Sequence, residues 1–189
     1  MRSDEVNMKQ LPIRKPNRLK NYDYSQSGSY FVTICTKNNE CLFGEIINGE
    51  MRLNEWGKIA QNELCSIAEH YENVVVDKFV IMPNHVHMII SIRLTERINP
   101  FPTVVDVPNI VGKYKAGVTR IVGNAFMRSE FERKPIWQKS YHDHIIRNQD
   151  EYNRIAKYIE SNPANWNIDC LNNVEAISNH PNRDEGISY

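Results

Sequence analysis

The 189-residue sequence has no apolar run approaching the roughly 18 residues that a membrane-spanning helix needs, so no span is expected. Its opening stretch, MRSDEVNMKQLPIRKPNRLK, carries charge but no apolar segment, which argues against a secretory signal. Cysteine is scarce: Cys35, Cys41, Cys65 and Cys170 form no CxxC pair, which argues against both a zinc ribbon and a disulfide scaffold. Reduced thiols in a cytoplasm fit that usage. Neither an internal repeat nor a low-complexity tract is present. Net charge is also absent, with 23 Lys and Arg offsetting 23 Asp and Glu. What remains is a composition of 41% apolar and 24% charged residues, in a length that supports one domain with a real core.

The charge is nevertheless unevenly spread. Residues 1–20 carry a net +4, residues 113–147 a net +5, and the stretch from 169 onward a net −3. Local basic zones are what a nucleic-acid backbone requires, because each neutralised phosphate releases counterions. Solvated loop and helix faces would look the same. The candidates for backbone contact are Arg14, Lys15, Arg18 and Lys20 in the first zone, with Lys113, Arg120, Lys139 and Arg147 in the second. Trp137 and Tyr141 could stack on unpaired bases, or could simply pack in a core.

Along the chain, residues 1–28 read as an irregular basic arm, with Pro12, Pro16 and a SQSGS stretch. YFVTICT, from Tyr30, is β-branched and aromatic and predicts a strand. Asn48-Gly49 between two short apolar stretches predicts a tight hairpin. Trp56, Ile59, Ala60, Leu64, Ile67, Ala68 and Tyr71 recur at helical spacing and predict one helix over about 55–71. NVVVDKFVIM and HVHMIISI predict two antiparallel strands joined at Pro83-Asn84. A second helix is expected over about 109–126, with Lys113, Gly117, Arg120 and Asn124 on its outer face, and IWQKSYHDHIIR as a strand. A third helix over about 149–161 stops before Asn162-Pro163. The order, β, hairpin, α, β, β, α, β, α, contains the split βαβ pattern of an α+β, ferredoxin-like antiparallel sandwich. That fold places helices on one face, adding a hairpin in the N-terminal half and a C-terminal helix that carries the candidate nucleophile. The expected organisation is an arm over 1–28, a single domain over 29–166 and a loose acidic tail over 167–189.

The sharpest local feature is Met82-Pro83-Asn84-His85-Val86-His87-Met88. Side chains two apart on a strand share a face, so His85 and His87 can aim two imidazoles, roughly 6–7 Å apart along the strand, at one divalent ion. A half-exposed strand carrying two histidines is the plainer alternative. Val86, Met88 and Ile90 would face the opposite way, into a core. On the last helix, Tyr158 and Asn162 lie one turn apart on one face, with Tyr158 about 60° from Ile155 at the border of the apolar stripe. There the tyrosine is either a nucleophile beside a metal or a packing residue at the core edge; Tyr152 falls within the stripe. His142 and His144 make a second HxH, in which His144 reads as a neighbour of the site or a packed residue.

NRLKNYDYSQSGSYFVTICTKNNECLFGEI, VIMPNHVHMII and IWQKSYHDHIIRNQDEYNRIAKYIESNPANW occur in this order over residues 17–166. In this combination the chain resembles the HUH-type single-tyrosine transposases, and among them most of all the REP-associated tyrosine transposases. The resemblance implies a ferredoxin-like fold in which His85 and His87 bind a metal, Asn162 supplies a further ligand and Tyr158 is the nucleophile. It also implies Mg²⁺ or Mn²⁺ as the working ion, Zn²⁺ or Ni²⁺ being able to occupy the same imidazoles. The substrate would be single-stranded or hairpin DNA, nicked and rejoined through a 5′-phosphotyrosine, in the cytoplasm at the nucleoid, by a chain that can form homodimers. One departure from the family pattern is Ala164-Asn165-Trp166, where Val-x-x-Gly is expected. The rival readings are a metal-dependent nuclease that activates water, and a domesticated module that binds hairpin DNA without cutting it.

Overall fold

The computed structural model describes residues 22–94, 105–126 and 135–172. Its strands are β1 (Gly28–Cys35), β2 (Gly44–Ile47), β3 (Glu50–Leu53), β4 (Val74–Ile81), β5 (His85–Ile92) and β6 (His142–Ile146). The helices are α1 (Glu55–Cys65), α2 (Ile67–His70), α3 (Val107–Phe126) and α4 (Gln149–Ser161). Four strands form one antiparallel sheet in the order β4-β5-β1-β6, the ferredoxin-like arrangement, while β2 and β3 make a separate hairpin. That hairpin turns at Asn48 and Gly49, both with positive φ (54° and 78°), as a two-residue turn matched to strand twist requires.

Period-two alternation divides the sheet into two chemically different faces. Tyr30, Val32 and Ile34 of β1, with Val86, Met88 and Ile90 of β5, pack against Leu64 of α1 and Ile110, Tyr114 and Val118 of α3. The intervening residues Phe31 and Ile89 point to the other face, where Ile155, Ala156 and Ile159 of α4 cover them. The crossover helices therefore form one layer and α4 the other. Helix α4 has the predicted bounds. Asn148 caps it by accepting from Glu151 N at 2.8 Å, and Glu151 in turn accepts from Arg147 N and His144 Nε2, tying the first turn to β6.

Several expectations are corrected. The helix foreseen over 55–71 breaks at Ser66, whose hydroxyl donates to Glu63 O at 3.0 Å and competes with the backbone ladder. In the segment IWQKSYHDHIIR, only His142–Ile146 joins the ladder, with Trp137 making an isolated bridge to Thr36. The carbonyls of Gln138 and Lys139 are diverted to Lys115 Nζ, at 2.7 and 3.4 Å. Gly117 does not face outward: a Cβ there would meet Glu63 Oε2 of α1. The end of the expected arm is packed, with Tyr24 buried beside Tyr30. Residues 167–172 of the expected tail fold back against the β4–β5 connection, Asn84 Nδ2 donating to Leu171 O at 2.8 Å. No described helix is long and apolar enough to cross a membrane.

Candidate active site

The α4 face of the sheet carries the chemistry-bearing residues. In the antiparallel register, His87 of β5 lies opposite Thr33 of β1, and His85 opposite Cys35. Both imidazoles are buried, with ring centroids 4.5 Å apart. Asn84 fixes the first of them. Its Nδ2 donates to Asn39 O (3.2 Å) and Leu171 O (2.8 Å), which sets the amide orientation, so Oδ1 must accept from His85 Nδ1 at 2.8 Å. In the neutral ring the lone pair is thereby left on Nε2. His87 Nδ1 pairs with Thr33 Oγ1 at 2.8 Å, and its Nε2 lies 3.3 Å from the Tyr158 phenolic oxygen. A tyrosine that donates to Nε2 requires Nδ1–H to donate to the threonine, so both rings turn Nε2 toward the same space. Burial pushes His87 down to about 3. Burial first, and His87 second, hold His85 well below the usual imidazole range, against a smaller opposite effect of the Asn162 amide beside it.

Helix α4 brings Tyr158 and Asn162 to these histidines. Tyr158 is half-buried at the edge of the apolar stripe and crosses Phe31 and His87 edge-on, at 6.2 and 5.3 Å. Asn162, at the helix C-terminus, is buried. Among the described residues three polar atoms in this cluster have no partner at hydrogen-bonding distance and angle: His85 Nε2, Asn162 Oδ1 and Asp169 Oδ2. Buried orphans of this kind are rare and costly. All three are electron-pair donors, and His85, His87 and Asp169 can place one ligand atom each within 4.8 Å of one another. Two imidazoles, an amide oxygen and a carboxylate make a donor set that suits a divalent cation.

The sequence profile of the family described as "Transposase IS200 like" matches residues 24–162. The chain belongs to the IS200-like transposase family. This bears out the resemblance to single-tyrosine transposases carried by the HxH and YIxxNP segments. An uncharacterised protein of Haemophilus influenzae is 40% identical over 171 residues, covering 84% of this chain and 92% of its own. The solved structure of a REP-associated tyrosine transposase bound to a REP hairpin shares the fold. Its TM-score is 0.55 at 18% identity, over 77% of this chain and 72% of that one.

The remaining candidates are scattered. Lys139 and Arg147 are exposed in the loops flanking β6. Lys113 and Arg120 lie in the opposite layer, lining a groove of about 310 Å³ between α1–α2 and α3, with Lys113 Nζ 4.9 Å above the Tyr71 ring. Trp137 and Tyr141 are core residues. Trp137 packs on Phe43 and Tyr114 and donates Nε1–H to Lys115 O at 3.1 Å, so its ring offers no free face to a base. His144, on β6 opposite Phe31, is about a third exposed and bonds Glu151 in the first turn of α4 at 2.7 Å. Arg14, Lys15, Arg18 and Lys20 lie outside the described residues. Three contributors escaped the sequence reading, namely Thr33, Asn84 and Asp169. Asn84 stood within the PNHVH segment and could have been found there; Thr33 needed the strand register and Asp169 the return of the chain.

Proposed function

We propose that this protein nicks and rejoins single-stranded, hairpin-containing DNA through a 5′-phosphotyrosine on Tyr158. The observation that carries this reading is the phenolic oxygen 3.3 Å from His87 Nε2, beside buried electron-pair donors with no partner among the described residues. His85, His87 and Asn162 would hold a divalent ion, Mg²⁺ or Mn²⁺ in the cell. When bound, the ion supplies Lewis-acid polarisation of the scissile phosphate. The Tyr158 oxygen attacks phosphorus and its proton is lost to solvent. The bond from phosphorus to the 3′ oxygen breaks, and that oxygen takes up a proton. Reversal by a 3′-hydroxyl restores the phosphodiester and frees the tyrosine, so no ATP is consumed. Thr33 and Asn84 keep the two imidazoles turned with Nε2 inward. Phe31 packs edge-on to the phenol ring and limits its swing.

Lys139 and Arg147 would contact phosphates near the tyrosine, with Arg14, Lys15, Arg18 and Lys20 guiding the hairpin. Lys113 and Arg120, in the opposite layer, would meet a flanking stretch of the same DNA.

The test is covalent trapping. Oligonucleotides from the DNA flanking the gene are incubated with protein and Mn²⁺, resolved on a denaturing gel and mapped by peptide mass. The expected adduct sits on Tyr158 and is abolished by EDTA, His85→Ala or Tyr158→Phe. An adduct on Tyr152 would refute the site. Metal-dependent cleavage without any adduct would establish the water-activating nuclease instead, and hairpin binding with neither would leave a binding module.

A further inference from the structure

Beyond the C-terminus of α4, residues 163–172 turn back. Asn165 N bonds Ser161 O and Asn162 O (3.2 and 3.1 Å), Trp166–Ile168 makes a single 3-10 turn, and Asn172 Nδ2 closes on Trp166 O at 3.0 Å. The Trp166 ring stands 6.0 Å from the His85 ring, and Asn84 Nδ2 clamps Leu171 O. This strap delivers Asp169. One carboxylate oxygen, Oδ1, accepts from Leu171 N at 2.8 Å. The other, Oδ2, is 3.9 Å from His85 Nε2 and has no hydrogen-bond partner among the described residues, in a side chain only 4% exposed. The strap lies past residue 162, where the match to the family ends.

A carboxylate oxygen facing the lone pair of a neutral imidazole is repulsive unless something positive lies between them. The separation is too long for a hydrogen bond, yet it falls in the range for two ligands of one ion, roughly 3–4 Å for bonds near 2.1 Å. Charge gives the same answer. His85, His87 and Asn162 are all neutral donors, and a buried divalent ion held by them alone would be uncompensated. We propose that Asp169 is a further ligand of the divalent ion at His85, His87 and Asn162, which makes the strap over residues 163–172 part of the metal site. The proposal rests on the metal reading given above. A hard carboxylate oxygen shifts the set toward Mg²⁺ and Mn²⁺ and away from the softer ions that two imidazoles alone would favour.

The experiment uses the full chain, stripped with chelator, and measures Mn²⁺ binding by calorimetry and urea unfolding with and without Mn²⁺. Asp169→Asn retains the acceptor for Leu171 N and presents an N–H to His85 Nε2. Its unfolding midpoint in EDTA should therefore equal or exceed that of the wild type, while Mn²⁺ affinity falls 10- to 100-fold. Asp169→Glu should recover part of that affinity. This opposition of signs separates a ligand from a residue that only packs. Wild-type Mn²⁺ affinity in Asp169→Asn would overturn the proposal, as would a lower midpoint in EDTA with unchanged affinity, which marks a partner of protonated His85. If the wild type forms the Tyr158 adduct and Asp169→Asn binds Mn²⁺ equally well, the strap proposal alone fails. If the affinity falls as expected and no adduct forms, the strand-transfer reading alone fails.

Discussion

Asn84→Ala should damage both the stability of the chain and its hold on metal, through separate bonds of one amide. The side chain is 1% exposed and makes three hydrogen bonds: Oδ1 accepts from His85 Nδ1, and Nδ2 donates to Asn39 O and Leu171 O. At roughly 0.5–1.5 kcal/mol net for each bond, truncation should cost about 2–4 kcal/mol. The His85 bond has a second effect, because it fixes the tautomer that leaves Nε2 free. Losing such a support lowers metal affinity about 10- to 100-fold, or about 1.4–2.7 kcal/mol. Urea unfolding in EDTA reads the first quantity and Mn²⁺ calorimetry the second. Asn84→Asp divides them: it keeps an acceptor for His85 and sets a carboxylate against two carbonyls. Its Mn²⁺ affinity should exceed that of Asn84→Ala, while its stability falls at least as far. A folded Asn84→Ala protein with wild-type urea midpoint and wild-type Mn²⁺ affinity would refute the reasoning.

Metal-free protein should lose stability in mild acid. His87, held down to about 3 when folded, takes up its proton first in the unfolded chain, so its contribution is complete above pH 6.5 and is lost as pH falls toward 3. At pH 5 the loss from His87 alone is about 2 kcal/mol, with His85 acting in the same direction; equal urea midpoints at pH 8 and pH 5 in EDTA would contradict this. Gly57→Ala should destabilise by about 1–3 kcal/mol, because the new Cβ would stand 2.1 Å from the Phe43 carbonyl oxygen. Gly117→Ala meets only the movable end of Glu63 and should be far milder; thermal unfolding of the two variants side by side checks the contrast. Trp137→Phe should lower stability and leave hairpin-DNA affinity of the folded protein unchanged, since the indole is buried against Phe43 and Tyr114. A selective loss of affinity in filter binding would return Trp137 to the DNA interface.

The parts of the fold that were legible are those governed by local chemistry. Asn162-Pro163 stops α4, Asn48-Gly49 admits one kind of turn, and strict alternation in β5 assigns His85 and His87 to one face and Val86 and Met88 to the other. Tyr158 was placed at the stripe edge by helical angle alone, and there its hydroxyl meets His87. What escaped depended on distant partners. The shortness of β6 follows from Lys115 capturing two carbonyls, and the burial of Trp137 from the meeting of α3 with the loop before β6. Neither leaves a periodic trace. Asp169 sat in a stretch whose acidity suggested solvent; the turns after α4 and the clamp from Asn84 to Leu171 bring it under cover.

The two apolar layers described above are unequal, and this affects which part of the molecule opens first. The α1–α3 layer shares a continuous core from Tyr24 to Tyr141, whereas among the described residues α4 rests on Phe31 and Ile89 through Ile155, Ala156 and Ile159, with four partly buried neighbours. The helix bearing the tyrosine is thus the least deeply anchored long element and should detach at a lower free energy than global unfolding. In native-state hydrogen exchange its amides should exchange before those of β1 and β5. Docking of the nucleophile is then a local equilibrium of its own, one that a surface substitution in the first turn of α4 can shift without disturbing the sheet on which the histidines are mounted.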